Sequence, residues 1–392
     1  MSAAMRVLVA AFGDAGHAFP AIALARALAG RGHEVVVETW GRWREAVEEI
    51  GLGFTAVEEY RVFPPPPPGS DGPGAASAAR ALLPFVEEMR PDVVVSDILT
   101  LAPALAAEAA GVPRVTLIPH IYPVQEEGLP FFGFGLVAAR TPLGRAMWRA
   151  GRPLLETGLR RGRRELNAER AELGLPPVER FHGGISDGLA LVATYPQLEY
   201  PRRWPARVHV TGPMFFQLPS PDVEVPDGDD PLVLVAPSTS QDPEGRLVRT
   251  ALDALADEPV RVVATTNREG VAPVVSAPAN AVVVDWLSYS QVMPLASLVI
   301  CHGGHGTVAR ALAEGVPVLV CPAIGDMAET GARVAWAGVG LMLPRRLLTP
   351  GPLRWATRRL LTDDRYDCWA AEIAASPMEG PAEGANLVET VP

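Results

Sequence analysis

Two histidines, His302 and His305, stand among Gly303, Gly304 and Gly306 in CHGGHGT (301–307), between an apolar run and a helical one. Three kinds of chemistry use such a stretch: metal ligation, an anion cradle of backbone N–H groups, or a plain strand-to-helix turn. A metal needs a third ligand, and none of the other histidines lies nearby in sequence with a suitable partner. A plain turn does not call for two histidines. Glycines at a helix N-terminus let N–H groups close on an anion that the helix end also favours, so the expected guest is a phosphate or diphosphate. His302 would add a charge-assisted N–H, and Thr307 a hydroxyl.

A third histidine, His17, occupies a second glycine turn, FGDAGHAFP (12–20). A neutral imidazole there can take a proton from a hydroxyl near physiological pH. A core or capping histidine is the competing explanation. Only Gly13 and Gly16 fit the G-x-G-x-x-G of a nicotinamide-binding loop, which counts against a dehydrogenase. Asp97, ending VVVSD, is placed at the end of a strand, where it can cap the helix that follows.

These residues sit where short β-branched runs hand over to alanine- and leucine-rich ones. RVLVAAF, AFPAIALARALAGRG and HEVVVETW spell strand, helix, strand, the pattern of a doubly wound parallel α/β sheet. It continues through PDVVVSD, a helix over 101–110 and PRVTLIP, then loosens in a proline- and arginine-rich stretch over 122–185. Within it, RRGRRELNAER (160–170) is expected to be a solvated helix face. PPPPP (64–68) is expected to be a stiff loop beside a cleft. A proline- and aspartate-rich stretch without periodicity marks a linker over 215–231. The alternation then restarts, with helices over 243–256, 289–296, 306–314 and 326–337. Two Rossmann-like domains, 1–214 and 232–376, are therefore predicted to face each other across a cleft at the C-terminal ends of their strands.

Composition removes whole mechanisms. None of the 392 residues is a lysine, so all 34 basic residues are arginines, and Schiff-base, pyridoxal phosphate and P-loop chemistry are excluded. A net charge of −11 argues against nucleic acid as partner. Cys301, Cys321 and Cys368 show no CxxC spacing and suggest free thiols in a reducing compartment. No apolar run approaches the roughly 20 residues of a membrane span, and no signal peptide is evident. A soluble, cytoplasmic protein is expected.

The stretch 285–340, DWLSYSQVMPLASLVICHGGHGTVARALAEGVPVLVCPAIGDMAETGARVAWAGVG, resembles the nucleotide-sugar signature of the family one inverting glycosyltransferases, which include bacterial enzymes that decorate antibiotics. The resemblance implies the GT-B fold. It also implies Trp286 stacking on the nucleobase, the Leu287 backbone reading its edge, and His302 on the β-phosphate. Gly303, Gly304, His305, Gly306 and Thr307 would complete the diphosphate cradle. Asp326 would accept hydrogen bonds from sugar hydroxyls, with Met327 beside it, and Ser238 and Thr239 of APSTS would touch the phosphates. Trp286 as an ordinary core aromatic stays open. His17 matches the family's general base, and Asp97 the aspartate that orients it.

The chain departs from the pattern in three places. Arg310 replaces the usual ribose-binding glutamate, Met327 replaces a glutamine, and WLSY replaces tryptophan-x-proline-glutamine. The first two are compatible with a deoxyribose nucleotide and a deoxygenated sugar. The resemblance thus implies a metal-independent inverting glycosyltransferase. It would use a TDP- or UDP-sugar as co-substrate, without a further cofactor, and an apolar aromatic or polyketide aglycone as acceptor. A homodimer stays open. A nucleotide-sugar epimerase of the same fold and a non-catalytic auxiliary of a transferase are the alternatives. The tail, 377–392, is expected to return to the N-terminal domain.

Overall fold

The computed structural model describes residues 3–57, 74–180, 185, 188–238, 242, 244–267, 277–323 and 325–392. Thr239 and the prolines of 64–68 lie outside the described residues. Two parallel sheets form the frame, and the chain is an α/β protein of two doubly wound units. The first sheet holds β1 (Arg6–Ala10), β2 (Glu34–Trp40), β3 (Gly53–Val57), β4 (Val93–Asp97), β5 (Arg114–Ile118), β6 (Leu189–Val192) and β7 (Val208–Val210), in the order 3-2-1-4-5-6-7. The second holds β8 (Leu232–Ala236), β9 (Arg261–Thr265), β10 (Ala281–Val284), β11 (Leu298–Cys301), β12 (Val318–Val320) and β13 (Gly340–Met342), in the order 10-9-8-11-12-13.

The strand order reverses between β1 and β4 in one sheet and between β8 and β11 in the other. Neighbouring strands at such a point send their connections to opposite faces, which leaves a crevice at their carboxyl ends. His17 follows β1, and Asp97 ends β4. Ser238 follows β8, and the glycine turn follows β11. The central strands β1, β4, β8 and β11 are buried on both faces, which is why they are short, mainly aliphatic runs.

The helix Pro142–Glu172 departs most from the sequence pattern, since 31 residues are helical where the alternation loosens. Thr141 caps it by accepting from the Gly144 N–H at 3.2 Å. Arg152–Glu156 and Arg161–Glu165 pair one turn apart along it. Arg170, bound to Glu108, is buried near its end, while its inward apolar residues, Trp148, Leu155, Leu159 and Leu166, are only half-buried and stand among arginines and glutamates. Prolines 142 and 153 hide it further.

Residues 211–231 cross between the sheets without regular structure, Phe216 packing in the first core and Phe215 against the second. A second crossing lies against the first: the Gly380 N–H donates to the Thr211 carbonyl at 3.0 Å. The helix Pro381–Val388 then packs on helix Ala15–Ala29, with Ala385 and Val388 wholly buried in the first core. Arg31 holds it through the Asn386 side chain at 2.7 Å and the Ala382 carbonyl at 2.7 Å.

A buried charge network joins the two units. Arg333, on helix Asp326–Ala337, donates to Glu329 at 2.9 Å and, across the seam, to Glu199 at 3.1 Å. All three side chains are at most 5% exposed. Glu199 also accepts the Tyr122 N–H at 2.7 Å, and Glu329 the Gly133 N–H at 3.3 Å. The guanidinium lies 3.5 Å from the Tyr200 ring centroid. Burial pushes both carboxyls above their usual range, against the pull of the arginine. Removing the cation leaves two acids buried and unpaired. Arg333→Ala is expected to cost about 3–5 kcal/mol, seen as an earlier midpoint in urea unfolding; an unchanged midpoint would show that water replaces the guanidinium.

Candidate active site

Between β1 and the helix Ala15–Ala29, the chain turns through Gly13 because no side chain fits there. A Cβ at Gly13 would lie 2.0 Å from Trp40 Cγ. The indole N–H of Trp43 holds the Gly13 carbonyl at 2.7 Å. This sets His17 in the first helical turn, with Nδ1 2.9 Å from Asp97 Oδ1. Asp97 is buried, and its other oxygen accepts the Phe12 N–H and the Thr100 hydroxyl, each at 3.3 Å. A carboxylate at Nδ1 holds the proton there and leaves the lone pair on Nε2. Burial works to lower the His17 pKa, but the charge and hydrogen bond of Asp97, helped by Asp326 and Asp14, raise it above the usual value.

Across the cleft, β11 ends at Cys301, and the helix His305–Ala313 starts after Gly303 and Gly304. Gly303 has φ +89°, and a Cβ on it would meet the Met327 carbonyl at 2.7 Å. It is glycine for both reasons. A Cβ on Gly304 would lie 2.4 Å from His302 Nε2, so the imidazole leans over this residue. His302 Nδ1 donates to the Ala236 carbonyl at 3.2 Å, and burial holds its pKa below the ordinary value. The first N–H groups of the helix, at His305 and Gly306, have no carbonyl one turn back.

Not every residue grouped with this turn points into it. The His305 imidazole turns to the domain seam, its Nε2 3.3 Å from the Ala193 carbonyl, and burial pushes its pKa down to about 3. The Thr307 N–H donates to the Gly304 carbonyl at 3.1 Å, and its hydroxyl bonds Tyr289. Leu287 is a core side chain, while Trp286, just beyond β10, is half-buried. Ser238 is buried beyond β8. Asp326 is exposed at the start of its helix, with Met327 half-buried beside it. The Asp326 charge acts on His17, His302 and His120 alike, so the two glycine turns look onto one space. Arg310 is tied to the linker instead, 4.6 Å from the Phe215 ring centroid and donating to the Phe216 carbonyl at 3.3 Å.

The sequence pattern did not single out His120. It follows β5, the strand beside β4, and its ring centroid lies 5.9 Å from that of His17. A histidine just past TLIP, one strand from Asp97, was the available signal.

Two family models match the chain: the C-terminal domain of erythromycin biosynthesis protein CIII-like proteins over residues 249–390, and a glycosyl transferase 4-like domain over 21–164. The 4'-demethylrebeccamycin synthase of Lentzea aerocolonigenes is 30% identical over 402 residues, covering 94% of each chain. The O-mycaminosyltylonolide 6-deoxyallosyltransferase of Streptomyces fradiae is 29% identical, covering 92% of this chain and 90% of its own. The solved glycosyltransferase of kitacinnamycin superposes with a TM-score of 0.78 at 21% identity, covering 100% of both chains. A Streptomyces sp. SF2575 glycosyltransferase, solved with thymidine diphosphate, gives 0.62 at 22%, covering 99% of this chain and 100% of that one.

A diphosphate held at His302, as the resemblance implies, should bind in a pH-dependent way. With Nδ1–H given to Ala236, a neutral ring presents only a lone pair at Nε2, and a diphosphate there demands a proton. Binding should take one up, because the anion raises a pKa that burial had lowered. The dissociation constant of a nucleoside diphosphate is therefore expected to rise with pH between about 6 and 8. Calorimetry in two buffers of different ionisation heat would count the proton, and His302→Gln should abolish the uptake. Equal uptake in the variant would place the proton on the nucleotide alone.

Proposed function

Since the chain belongs to the GT-B glycosyltransferases of natural-product biosynthesis, we propose that it works by a single displacement at the anomeric carbon, with His17 as general base. The observation that carries this reading is the His17–Asp97 pair at one switch point, facing the glycine turn at the other. The acceptor hydroxyl gives its proton to His17 Nε2 as its oxygen bonds to the anomeric carbon. The bond from that carbon to the diphosphate breaks, and the configuration inverts. The imidazolium so formed is held by the Asp97 carboxylate. The departing diphosphate gathers charge beside the N–H groups of His305 and Gly306 and a protonated His302. No step in this scheme calls for a metal ion.

Trp286 and the Leu287 backbone are assigned to the base of the nucleotide, Ser238 and Thr239 to its phosphates, and Asp326 to the sugar. A thymidine-linked deoxysugar is favoured over UDP-glucose. Arg310 offers no acceptor to a ribose hydroxyl and is bound to the linker, and Met327 cannot donate to a sugar hydroxyl. The acceptor is assigned to the aromatic loop around Phe131–Phe134 of the first domain. In competition, UDP-glucose should lose to a thymidine-linked deoxysugar, because a site lacking the matching hydrogen bonds discriminates against the groups left unpaired. A preference for UDP-glucose would refute the donor assignment.

The mechanism itself is tested at the base. His17→Ala should lower kcat/KM on hydroxyl acceptors about 10²–10⁴-fold, with nucleoside diphosphate binding retained. The raised pKa sets the pH dependence. His17 must be neutral to act, so activity falls as pH drops through its pKa, and the acid limb should lie above the ordinary histidine value of 6.5. Asp97→Asn removes the largest raising influence, so the limb should move to lower pH while kcat falls. A wild-type rate in His17→Ala on an unactivated alcohol would refute the assignment.

A further inference from the structure

We propose that His120 is a second acceptor-binding group, selecting aglycones that carry a second hydrogen-bond donor near the hydroxyl that receives the sugar. The inference rests on the reading of His17 as the base and adds the chemistry of the acceptor. It starts from the sheet. β4 and β5 are paired neighbours, with Asp97 opposite Leu117, so their carboxyl ends open onto the same crevice. Asp97 at one end positions His17, and His120 lies just beyond the other.

The two imidazoles are fixed alike. His17 gives its Nδ1 proton to Asp97; His120 gives its own to the Ile121 carbonyl at 2.7 Å. Each therefore keeps a lone pair on Nε2 while neutral. Burial, and the charge that His17 acquires, keep His120 neutral. The rings meet edge to face at 75°, 5.9 Å between centroids. Two acceptor edges this close want two N–H or O–H donors, and the reacting hydroxyl supplies one. With hydrogen bonds of about 2.8 Å at either end, one small group with two donors a few ångströms apart can reach both rings.

The surroundings narrow the class further. Phe132 lies on the other side of His120, 6.1 Å between centroids and tilted by 33°, and gives the site an aromatic wall. His305 is the next imidazole, but its Nε2 is occupied by the Ala193 carbonyl and it offers the acceptor nothing. A flat aromatic acceptor with neighbouring hydroxyls, or with a hydroxyl beside an amine, fits this arrangement.

The test compares two acceptors on one skeleton with a thymidine-linked deoxysugar: a naphthalene with neighbouring hydroxyls, and its mono-methyl ether. The wild-type enzyme should prefer the diol over the ether by about tenfold in kcat/KM, the value of one hydrogen bond, and the difference should lie in the acceptor KM. His120→Phe keeps a ring against Phe132 but has no acceptor, and its preference should collapse to about one whatever its absolute rate. His120→Gln, which returns an acceptor oxygen, should restore it. Thymidine diphosphate binding confirms that the variants are folded. No preference in the wild type, or one that survives in His120→Phe, overturns the inference. His17→Ala assayed alongside separates the two readings: its rate reports the base, and the ratio between acceptors reports His120.

Discussion

The Arg333 guanidinium, shut between Glu199 and Glu329 at the domain seam, is the interaction on which the geometry of the cleft depends. A buried cation between two acids has no relaxed alternative nearby, since any shift strands one charge without a partner. Its three attachments reach the parts that must be in register. Arg333 rides on the helix that Asp326 begins. Glu199 holds the Tyr122 N–H, two residues from His120. Glu329 holds the Gly133 N–H in the aromatic loop. One network thus ties together the helix that Asp326 begins, the strand end that carries His120 and the aromatic loop.

Within that frame, the chemistry is divided between two similar crevices. Each lies where its sheet reverses strand order, and each contains a glycine forced by a close approach: Trp40 over Gly13, and the Met327 carbonyl over Gly303. The histidines on the two sides are tuned in opposite directions. Against the effect of burial, the Asp97 carboxylate raises His17, while burial lowers His302, whose Nδ1–H goes to a backbone carbonyl. The same side chain serves opposite demands because its surroundings differ.

Much of this was legible in the sequence, for identifiable reasons. Buried parallel strands must be apolar on both faces, so β1, β4, β8 and β11 stand out as valine-rich runs, and helix Asp326–Ala337 has the predicted bounds. The glycine turns are equally plain, because few other sequences bring backbone so close to a neighbour. The long helix Pro142–Glu172 was legible only over 160–170, because its apolar residues are few and half-buried and prolines 142 and 153 interrupt the pattern. His305 shows a different limit. Spacing put it on the turn, but the direction of a side chain at a helix start depends on what the other domain presents, here the Ala193 carbonyl. Arg333 and His120 were missed for the same reason: each matters through a partner far away in sequence.

The helix Pro381–Val388 belongs to the core of the first unit, yet it is made after the whole of the second. The second unit is therefore an insertion within the first. Domains usually fold as they are synthesised, the N-terminal one leading. Here the second sheet, from Leu232 to Met342 with its helices up to Ala374, is contiguous and can close first. The first must wait, with the groove between Leu24 and Met214 open, until Ala385 and Val388 arrive to fill it. The geometry around His17 is then completed only after the second unit has been made.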